Sequence, residues 1–366
     1  MSMNFQILDI VQQLWHDLQL NFKNGPAGQF LARIQIPEIG DIHLPAINFD
    51  YSPDRPLVAL FTLLVVFVIG FLLPAHFNAH IPPLWKLLRK VFDRIVEKAD
   101  NFSRTAGALF FRGGLILTLI IVFILLIYII FWLSQGFFPA YRQLIEGFGL
   151  LLCIAGPQSA RLLLARDPDF GFLQKATRVH LSKLDESGRI RLSIYWLSTQ
   201  FARCVLLPVF GYLLLDLMGA FLCSALGWLV WRIGRDNPPY TIAAVPIFFE
   251  RITGTIPHII LTLLLIFSSL IVSRVSVIRA IGGLAAGKRG ASYGEGGMPL
   301  TIMAYANNTV LGGPMIGPSG APRRTAWIGP KNASAQGNLN HLRQAAMMIF
   351  IAWLGLIGLL AAATML

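Results

Sequence analysis

The chain has 366 residues, of which 55% are hydrophobic and 13% are charged, and its mean hydropathy is +0.64. Soluble domains carry about 25% charged residues, so this composition excludes an ordinary soluble protein and indicates a chain built for a bilayer. The formal net charge of +12 does not indicate nucleic-acid binding, because the basic residues lie beside apolar runs, where topology and anionic headgroups account for them.

The N-terminal segment 1–56 is predicted to form a separate extracytoplasmic region. Apolar residues recur at helical spacing over Ile7–Phe22, which predicts an amphipathic helix that either lies on the outer membrane face or packs on the transmembrane bundle. Ile34–Tyr51 is rich in Pro, Gly and β-branched residues, which predicts an extended arm. Residues 57–366 are then the transmembrane domain.

Six apolar runs in that domain are long enough to cross a bilayer, which takes roughly 17–25 residues. The sequence therefore predicts an all-α integral membrane protein with about six transmembrane helices. The third run is interrupted by Gly156-Pro157, and the fourth is long and contains Pro208, Gly211 and Asp216, so one or both are predicted to be broken or re-entrant. The runs are Leu57–Leu73, Gly114–Leu133, Leu144–Ala165, Cys204–Trp231, Val245–Val272 and Ala345–Met365.

The distribution of basic residues predicts the orientation. Of the 30 Lys and Arg residues, 23 lie in three connections, 75–113, 161–203 and 273–344. Because Lys and Arg in short flanking loops stay in the cytoplasm, these connections are predicted to be cytoplasmic loops. Six crossings of a bacterial cytoplasmic (inner) membrane then place the N-terminus and the C-terminus outside.

Metal, thiol and transport chemistry find little support in the residue pattern. Cys153, Cys204 and Cys223 lie in or beside apolar runs without metal-type spacing, so they are predicted to be small core residues. No set of His and acidic residues has ligand spacing, and no metal site is predicted. Ionisable residues within spans are costly and therefore functional candidates, but no chain of carboxylates or histidines marks an ion path. Those in or at the ends of the runs are Glu146, Asp216, Glu250 and Arg251.

A glycine-rich segment follows the fifth run. Gly282 and Gly287-Lys288 have the spacing of a phosphate-binding loop, but Arg289 stands where such a loop needs Ser or Thr to hold magnesium. The segment Gly287–Gly297 is therefore interpreted as a flexible loop, which we call the glycine loop. The longer stretch Arg279–Gln344 shows no clear helix or strand pattern, which predicts either a binding element or an inert connector.

Several blocks in the second half resemble the adenosylcobinamide-phosphate synthase family (CbiB, also called CobD). Met303–Pro314, which ends in Leu-Gly-Gly-Pro, is followed by Trp327-Ile-Gly329 and a closing apolar helix, as at the end of that family. Leu184–Ile194, which begins Leu-Asp-Glu-Ser-Gly, continues to Pro208-Val-Phe210, and Ile256-Pro257 precedes another apolar helix. The resemblance covers roughly residue 74 to the end, and more distantly it extends to the AmpE membrane proteins.

Within the region of resemblance, this chain differs from the family at positions where the family carries acidic residues. Tyr195, Thr199-Gln200 and Arg203-Cys204 stand in place of Glu, Glu-Asn and Asp-Gly, and Glu250-Arg251 replaces an Asp-Asp pair. The family reaction is an ATP-dependent amide ligation, whose magnesium needs carboxylate ligands. The resemblance thus implies a diverged, catalytically altered or inactive member, with Mg-ATP as a cofactor only if the family activity is retained.

The resemblance implies a protein related to cobalamin (corrinoid) biosynthesis, and the loss of acids leaves open a non-enzymatic membrane regulator or assembly subunit of the AmpE type. The predicted partners are the lipid bilayer and either a corrinoid intermediate or other membrane proteins, with no nucleic acid. No catalytic residue is assigned. The candidate ligand-binding residues are Asp185, Glu186, Arg191, Asp236, Glu250, Gly312, Gly313, Pro314, Arg323, Arg324, Trp327 and Gly329.

Overall fold

A computed structural model describes most of the transmembrane domain. The predictions for Ile7–Phe22 and Ile34–Tyr51 lie outside the described residues. The described ranges are 54–74, 79–99, 105–177, 179–233, 242–272, 275–316 and 322–365.

Helices make up most of these residues, and they confirm an all-α membrane protein with about six spans. Five helices are long and apolar enough to cross a membrane, and one bent helix pair is a sixth candidate. The helix Ala106–Phe137 is apolar on every side, and outside one buried stripe that includes Ile116, Ile120 and Ile124 many of its apolar side chains are exposed, as expected where the solvent is lipid. The helices are α1 (Arg55–Leu72), α2 (Pro83–Ala99), α3 (Ala106–Phe137), α4 (Arg142–Cys153), α5 (Gln158–Leu164), α6 (Gly171–Thr177), α7 (Glu186–Phe201), α8 (Leu207–Ile233), α9 (Ala244–Ile271), α10 (Val277–Gly282), α11 (Gly297–Ala306) and α12 (Leu339–Ala363).

The third predicted span is the bent pair, in which α4 and α5 meet at 49°. The break leaves backbone groups without helical partners, and other elements supply them. Ala155 N donates to the Cys204 carbonyl at 2.9 Å, and Gly156 N donates to the Ala79 carbonyl at 2.8 Å. A Cβ on Gly156 would lie 3.0 Å from Gly70 Cα in α1, so only glycine permits this approach. The predicted interruption at Gly156-Pro157 is confirmed.

The fourth predicted span is a helical hairpin. Asp216 has φ 59° and ψ −156°, and the chain reverses there within α8. A Cβ on Gly219 would lie 2.1 Å from the Gly211 carbonyl oxygen, a contact that eight residues of straight helix, about 12 Å long, cannot make. The rings of Trp196 and Trp231 lie 5.0 Å apart, so residues 217–233 run back along α7 and residues 207–214.

The hairpin brings the end of α8 to the same end of the bundle as the basic connections. Arg232 pairs with Asp93 of α2 at 3.1 Å, and Arg89 of α2 donates to the Lys175 carbonyl at 3.1 Å. Arg343 likewise donates to the Arg166 carbonyl at 3.1 Å, so all three basic connections meet at this end. A single crossing over Cys204–Trp231 would put Arg232 at the other end, and the reversal at Asp216 corrects that expectation.

The three basic connections are largely folded. Connection 75–113 contains α2, whose buried face includes Trp85 and Phe92, and 161–203 contains α6 and the whole of α7. Connection 273–344 contains α10, α11 and the antiparallel strands β1 (Leu311–Ile316) and β2 (Pro322–Ile328). The sequence over Arg279–Gln344 shows no clear pattern and therefore did not predict these elements. They are stabilised by packing on α7 and α9 rather than by local periodicity.

Candidate functional site

A fully buried ion pair joins the segment between α7 and α8 to α9. Arg203 lies in the π-helical turn Ala202–Leu206, which joins α7 to α8, and Glu250 lies in α9. Arg203 Nε donates to Glu250 Oε1 at 2.6 Å, and Arg203 Nη2 donates to Oε2 at 3.3 Å. Both side chains are 0% exposed. The two parallel hydrogen bonds give the strong, directional geometry that a guanidinium makes with a carboxylate.

The glycine loop is tied to this ion pair. Arg203 Nη2 also donates to the carbonyls of Tyr293 and Gly294, at 3.4 and 3.2 Å, and the Tyr293 hydroxyl donates to the Glu250 carbonyl at 2.8 Å. Burial, and then the negative charge of Glu250, raise the pKa of Tyr293, which therefore stays a neutral donor. A Cβ on Gly254 would lie 2.2 Å from the Tyr293 hydroxyl, so the contact requires glycine in α9.

A cavity of about 320 Å³ lies between α9 and the glycine loop. His258 packs on the Tyr293 ring at 4.7 Å, and its Nδ1 donates to the Gly254 carbonyl at 2.8 Å, which leaves Nε2 as an acceptor. That Nε2 is buried and has no hydrogen-bond partner among the described residues. The lining includes Arg251, Thr255, His258, Tyr293, Gly297 and Thr301. A small ligand with an anionic group for Arg251 and a donor for His258 fits this chemistry.

The Leu-Asp-Glu-Ser-Gly block forms the start of α7. Asp185 is the N-cap residue, and its Oδ1 accepts a hydrogen bond from Gly188 N at 2.8 Å. This contact gives Asp185 a structural role, since it satisfies one of the free amides of the first turn. Glu186 is exposed and, with Ser187 and Asn338, lines an open groove of about 390 Å³. Among the described residues no hydrogen bond or ion pair engages the Glu186 carboxylate, so it is open to a ligand.

A second group of candidate residues meets at the β-hairpin, and we call Arg191, Gly313 and Trp327 the Trp327 cluster. The Arg191 guanidinium lies 5.5 Å from the Trp327 ring centre, a cation–π contact, and Arg191 also donates to the Ala335 carbonyl. Gly313 has φ 89°, and a Cβ there would lie 2.4 Å from the Trp327 ring. Trp327 is half exposed, so the cluster offers a flat aromatic surface at the end of the bundle that carries the basic connections.

The remaining candidates lie near the cluster or outside the described residues. Gly329 has φ 136° and approaches the Thr309 carbonyl, where a Cβ would be 2.6 Å away, so it sets backbone geometry. Gly312 also has positive φ. The β-register pairs Pro314 with Arg324, next to Met315 with Arg323. Asp236 lies outside the described residues.

The structure does not unite the predicted residues into one site. Arg191, Gly313 and Trp327 come together, whereas Glu250 belongs to the buried ion pair. Sequence reasoning missed His258 and Tyr293, and it treated Arg203 as a lost acid rather than as the partner of Glu250. An ionisable residue within an apolar run is the signal that could have paired Arg203 with Glu250. Within the described ranges, no three His, Cys, Asp or Glu residues lie close enough to hold a metal ion.

No family model, no curated protein and no solved structure matches this chain.

Proposed function

We propose that this chain is a protein of the bacterial inner membrane with both termini outside. In this proposal it takes part in corrinoid biosynthesis but does not catalyse the ATP-dependent amide ligation. It keeps the framework of the adenosylcobinamide-phosphate synthase family and binds a pathway ligand. The observation that carries the proposal is the state of Glu250. Both of its oxygens are occupied by Arg203, and its side chain is fully buried.

A magnesium-dependent reaction needs free carboxylate oxygens, because magnesium takes oxygen ligands in near-octahedral geometry. The guanidinium of Arg203 occupies the place a metal would take beside Glu250, and its positive charge repels a cation. Asp185 is partly engaged as a helix cap. These contacts support a binding role over phosphate-ester or amide chemistry.

The corrinoid part of the proposal is supported by the way in which the resembling blocks pack. Leu184–Ile194 and Met303–Pro314 are more than a hundred residues apart, and β1 packs on α7. Trp327 then joins both blocks through Arg191 and Gly313. The exposed part of the Trp327 ring suits contact with a large, partly apolar ligand, and the edge of a corrin macrocycle offers such a surface.

A corrinoid-binding measurement tests the proposal directly. The purified chain in detergent is equilibrated with cobinamide, and bound ligand is followed by its visible absorbance after separation. We expect binding that falls about tenfold or more in Trp327→Ala, as expected for loss of one large aromatic contact. The control is Phe111→Ala, which removes an exposed aromatic side chain from a different surface.

Complementation separates binding from catalysis. The chain is expressed in a strain that lacks its own synthase and is supplied with cobyric acid and aminopropanol phosphate. We expect no cobalamin-dependent growth. Growth that is lost in the Asp185→Ala, Glu186→Ala double variant would overturn the non-catalytic proposal.

The second candidate is a non-enzymatic membrane regulator or assembly subunit of the AmpE type. The neutralised Glu250 favours it equally, because neither role needs a metal. Absence of cobinamide binding, with a folded protein, would favour this candidate over the first.

A further inference from the structure

A cavity of about 630 Å³ lies at the tip of the helical hairpin. It is formed where α3 ends, α4 begins and α8 reverses, and its lining includes Tyr128, Trp132, Arg142 and Asp216. Arg55, at the start of α1, donates to the Leu214 carbonyl at 3.4 Å, so the cavity lies away from the end that carries the basic connections.

The lining presents one carboxylate and one guanidinium to the same space. Arg142 Nε donates to Glu146 Oε1 at 2.9 Å, and the Tyr212 hydroxyl donates to Glu146 Oε2 at 2.8 Å, so Glu146 is engaged and buried. The Arg142 side chain remains 59% exposed. Asp216 Oδ1 accepts a hydrogen bond from Leu217 N at 2.7 Å, and this carboxylate is half-buried in the cavity wall.

Asp216 occupies a backbone region that suits glycine. Its φ of 59° with ψ of −156° lies where an L side chain is strained, so an aspartate there costs free energy that a glycine would not. Glycine could make the same turn without this strain, and the hydrogen bond from Leu217 N uses only Oδ1 of the carboxylate. An acid at this position is explained if its charge has a ligand.

The surroundings of the cavity are those of a membrane interface. Trp132, Phe137, Phe138 and Tyr141 are all exposed around the end of α3, and aromatic side chains gather at the level of lipid headgroups. A molecule that reaches this cavity therefore comes most readily from the bilayer. Its polar part must satisfy both an acid and a guanidinium, and its cationic part meets the Tyr128 and Trp132 rings.

We propose that this cavity binds the headgroup of a zwitterionic phospholipid, with the ammonium held by Asp216 and the rings of Tyr128 and Trp132, and with the phosphate held by Arg142. An anionic lipid would satisfy Arg142 only and leave Asp216 repelled by the phosphate. A zwitterionic headgroup carries both charges, and both Arg142 and Asp216 line the cavity. The site is independent of the corrinoid proposal.

Native mass spectrometry of the full chain in detergent, titrated with phosphatidylethanolamine or phosphatidylglycerol of the same acyl chains, tests the site. We expect ethanolamine lipid to bind more tightly than glycerol lipid. Asp216→Asn is expected to weaken ethanolamine lipid binding by about tenfold or more, the effect of losing one charged hydrogen bond. Asp167→Asn, an exposed acid on another surface, is the matched control.

Asp216→Gly keeps the test decisive if a variant folds poorly. Glycine accepts this backbone conformation, so we expect a melting temperature equal to or above that of the parent chain, together with the same loss of ethanolamine lipid binding. Equal binding of both lipids by the parent chain, or unchanged ethanolamine lipid binding in both Asp216 variants, would overturn the proposal.

Discussion

At the residue scale, two charges buried in the membrane domain, Arg203 and Glu250, are paired rather than free. Arg203 and Glu250 sit 47 residues apart, and each compensates the other where no water can. The position of Glu250 inside an apolar run, and of Arg203 directly before another run, was visible in the sequence. Their pairing was not, because it depends on how α7, the π-helical turn and α9 pack. The sequence thus predicted Glu250 as a candidate but could not identify what it binds.

Breaking this ion pair should destabilise the protein strongly. Glu250→Gln leaves a buried guanidinium without its counter-charge, and we expect a loss of about 3–5 kcal/mol in the free energy of unfolding. The double variant Arg203→Met, Glu250→Leu should recover most of that loss, because two apolar side chains of similar size need no counter-charge. Thermal unfolding in detergent measures both. Arg251→Gln, at an exposed neighbour, is the control and should change stability by less than about 0.5 kcal/mol.

His80 should make stability depend on pH. Desolvation lowers its pKa from 6.5 to about 4, a hydrogen bond to Gln158 opposes that shift, and Lys86 and Lys175 add to it. The unfolded chain then binds a proton between these pH values that the folded chain does not bind. The stabilising effect is present above pH 6.5 and is lost as the pH falls towards 4, by about 3 kcal/mol in total.

The measurement is the melting temperature in detergent from pH 7.5 to 4, compared with that of His80→Gln. Glutamine keeps a hydrogen-bonding side chain and removes the titration, so the pH slope of this variant should be smaller. An identical slope in both proteins would show that His80 does not contribute to it.

At the element scale, two glycines permit the reversal within α8. The backbones at Gly211 and Gly219 touch, so the arms of the hairpin can pack only where neither residue has a side chain. Pro208, Gly211 and Asp216 predicted a break in this run, and that prediction is confirmed. The direction of the chain after the break was not predictable, because 28 apolar residues suit one tilted helix as well as two short arms.

Gly219→Ala should therefore destabilise the fold. Its Cβ would meet the Gly211 carbonyl oxygen at 2.1 Å, and separating the arms should cost about 1–3 kcal/mol, as overpacking does elsewhere. Gly358→Ala is the matched control, since a Cβ there meets nothing within 4 Å. That control should be neutral or stabilising by up to about 1 kcal/mol. Equal melting temperatures for the two variants would contradict the close approach of the arms.

At the scale of the whole molecule, the thickness of a bilayer allows the fold class to be predicted from the lengths of the apolar runs. It does not determine how the helices are arranged. A run of about 20 apolar residues is long enough to cross a bilayer, so the spans between Leu57 and Met365 could be located in the sequence. Elements stabilised by tertiary contacts, such as α11 and the β1–β2 hairpin, have no such signature. The three residues of the Trp327 cluster were candidates because they belong to the resembling blocks, but the sequence did not predict that they meet. The cavity at His258 depends on the packing of α9 against the glycine loop.

The hairpin makes a topological prediction that a single fourth crossing does not. Because Arg232 pairs with Asp93 and α2 contacts the Lys175 backbone, a reporter inserted after Ile233 should face the same side as a cysteine introduced at Lys175. The basic residues predict that this side is the cytoplasm.

The labelling experiment starts from a chain without native cysteines. All three are buried, and each is replaced by Ala or Ser so that only an introduced cysteine reacts. In intact cells, a cysteine at Gln143, near the hairpin tip, should be labelled by an impermeant reagent, whereas one at Lys175 should not. A reporter after Ile233 that faces the periplasm would contradict the hairpin, and strong labelling at Lys175 would contradict the orientation.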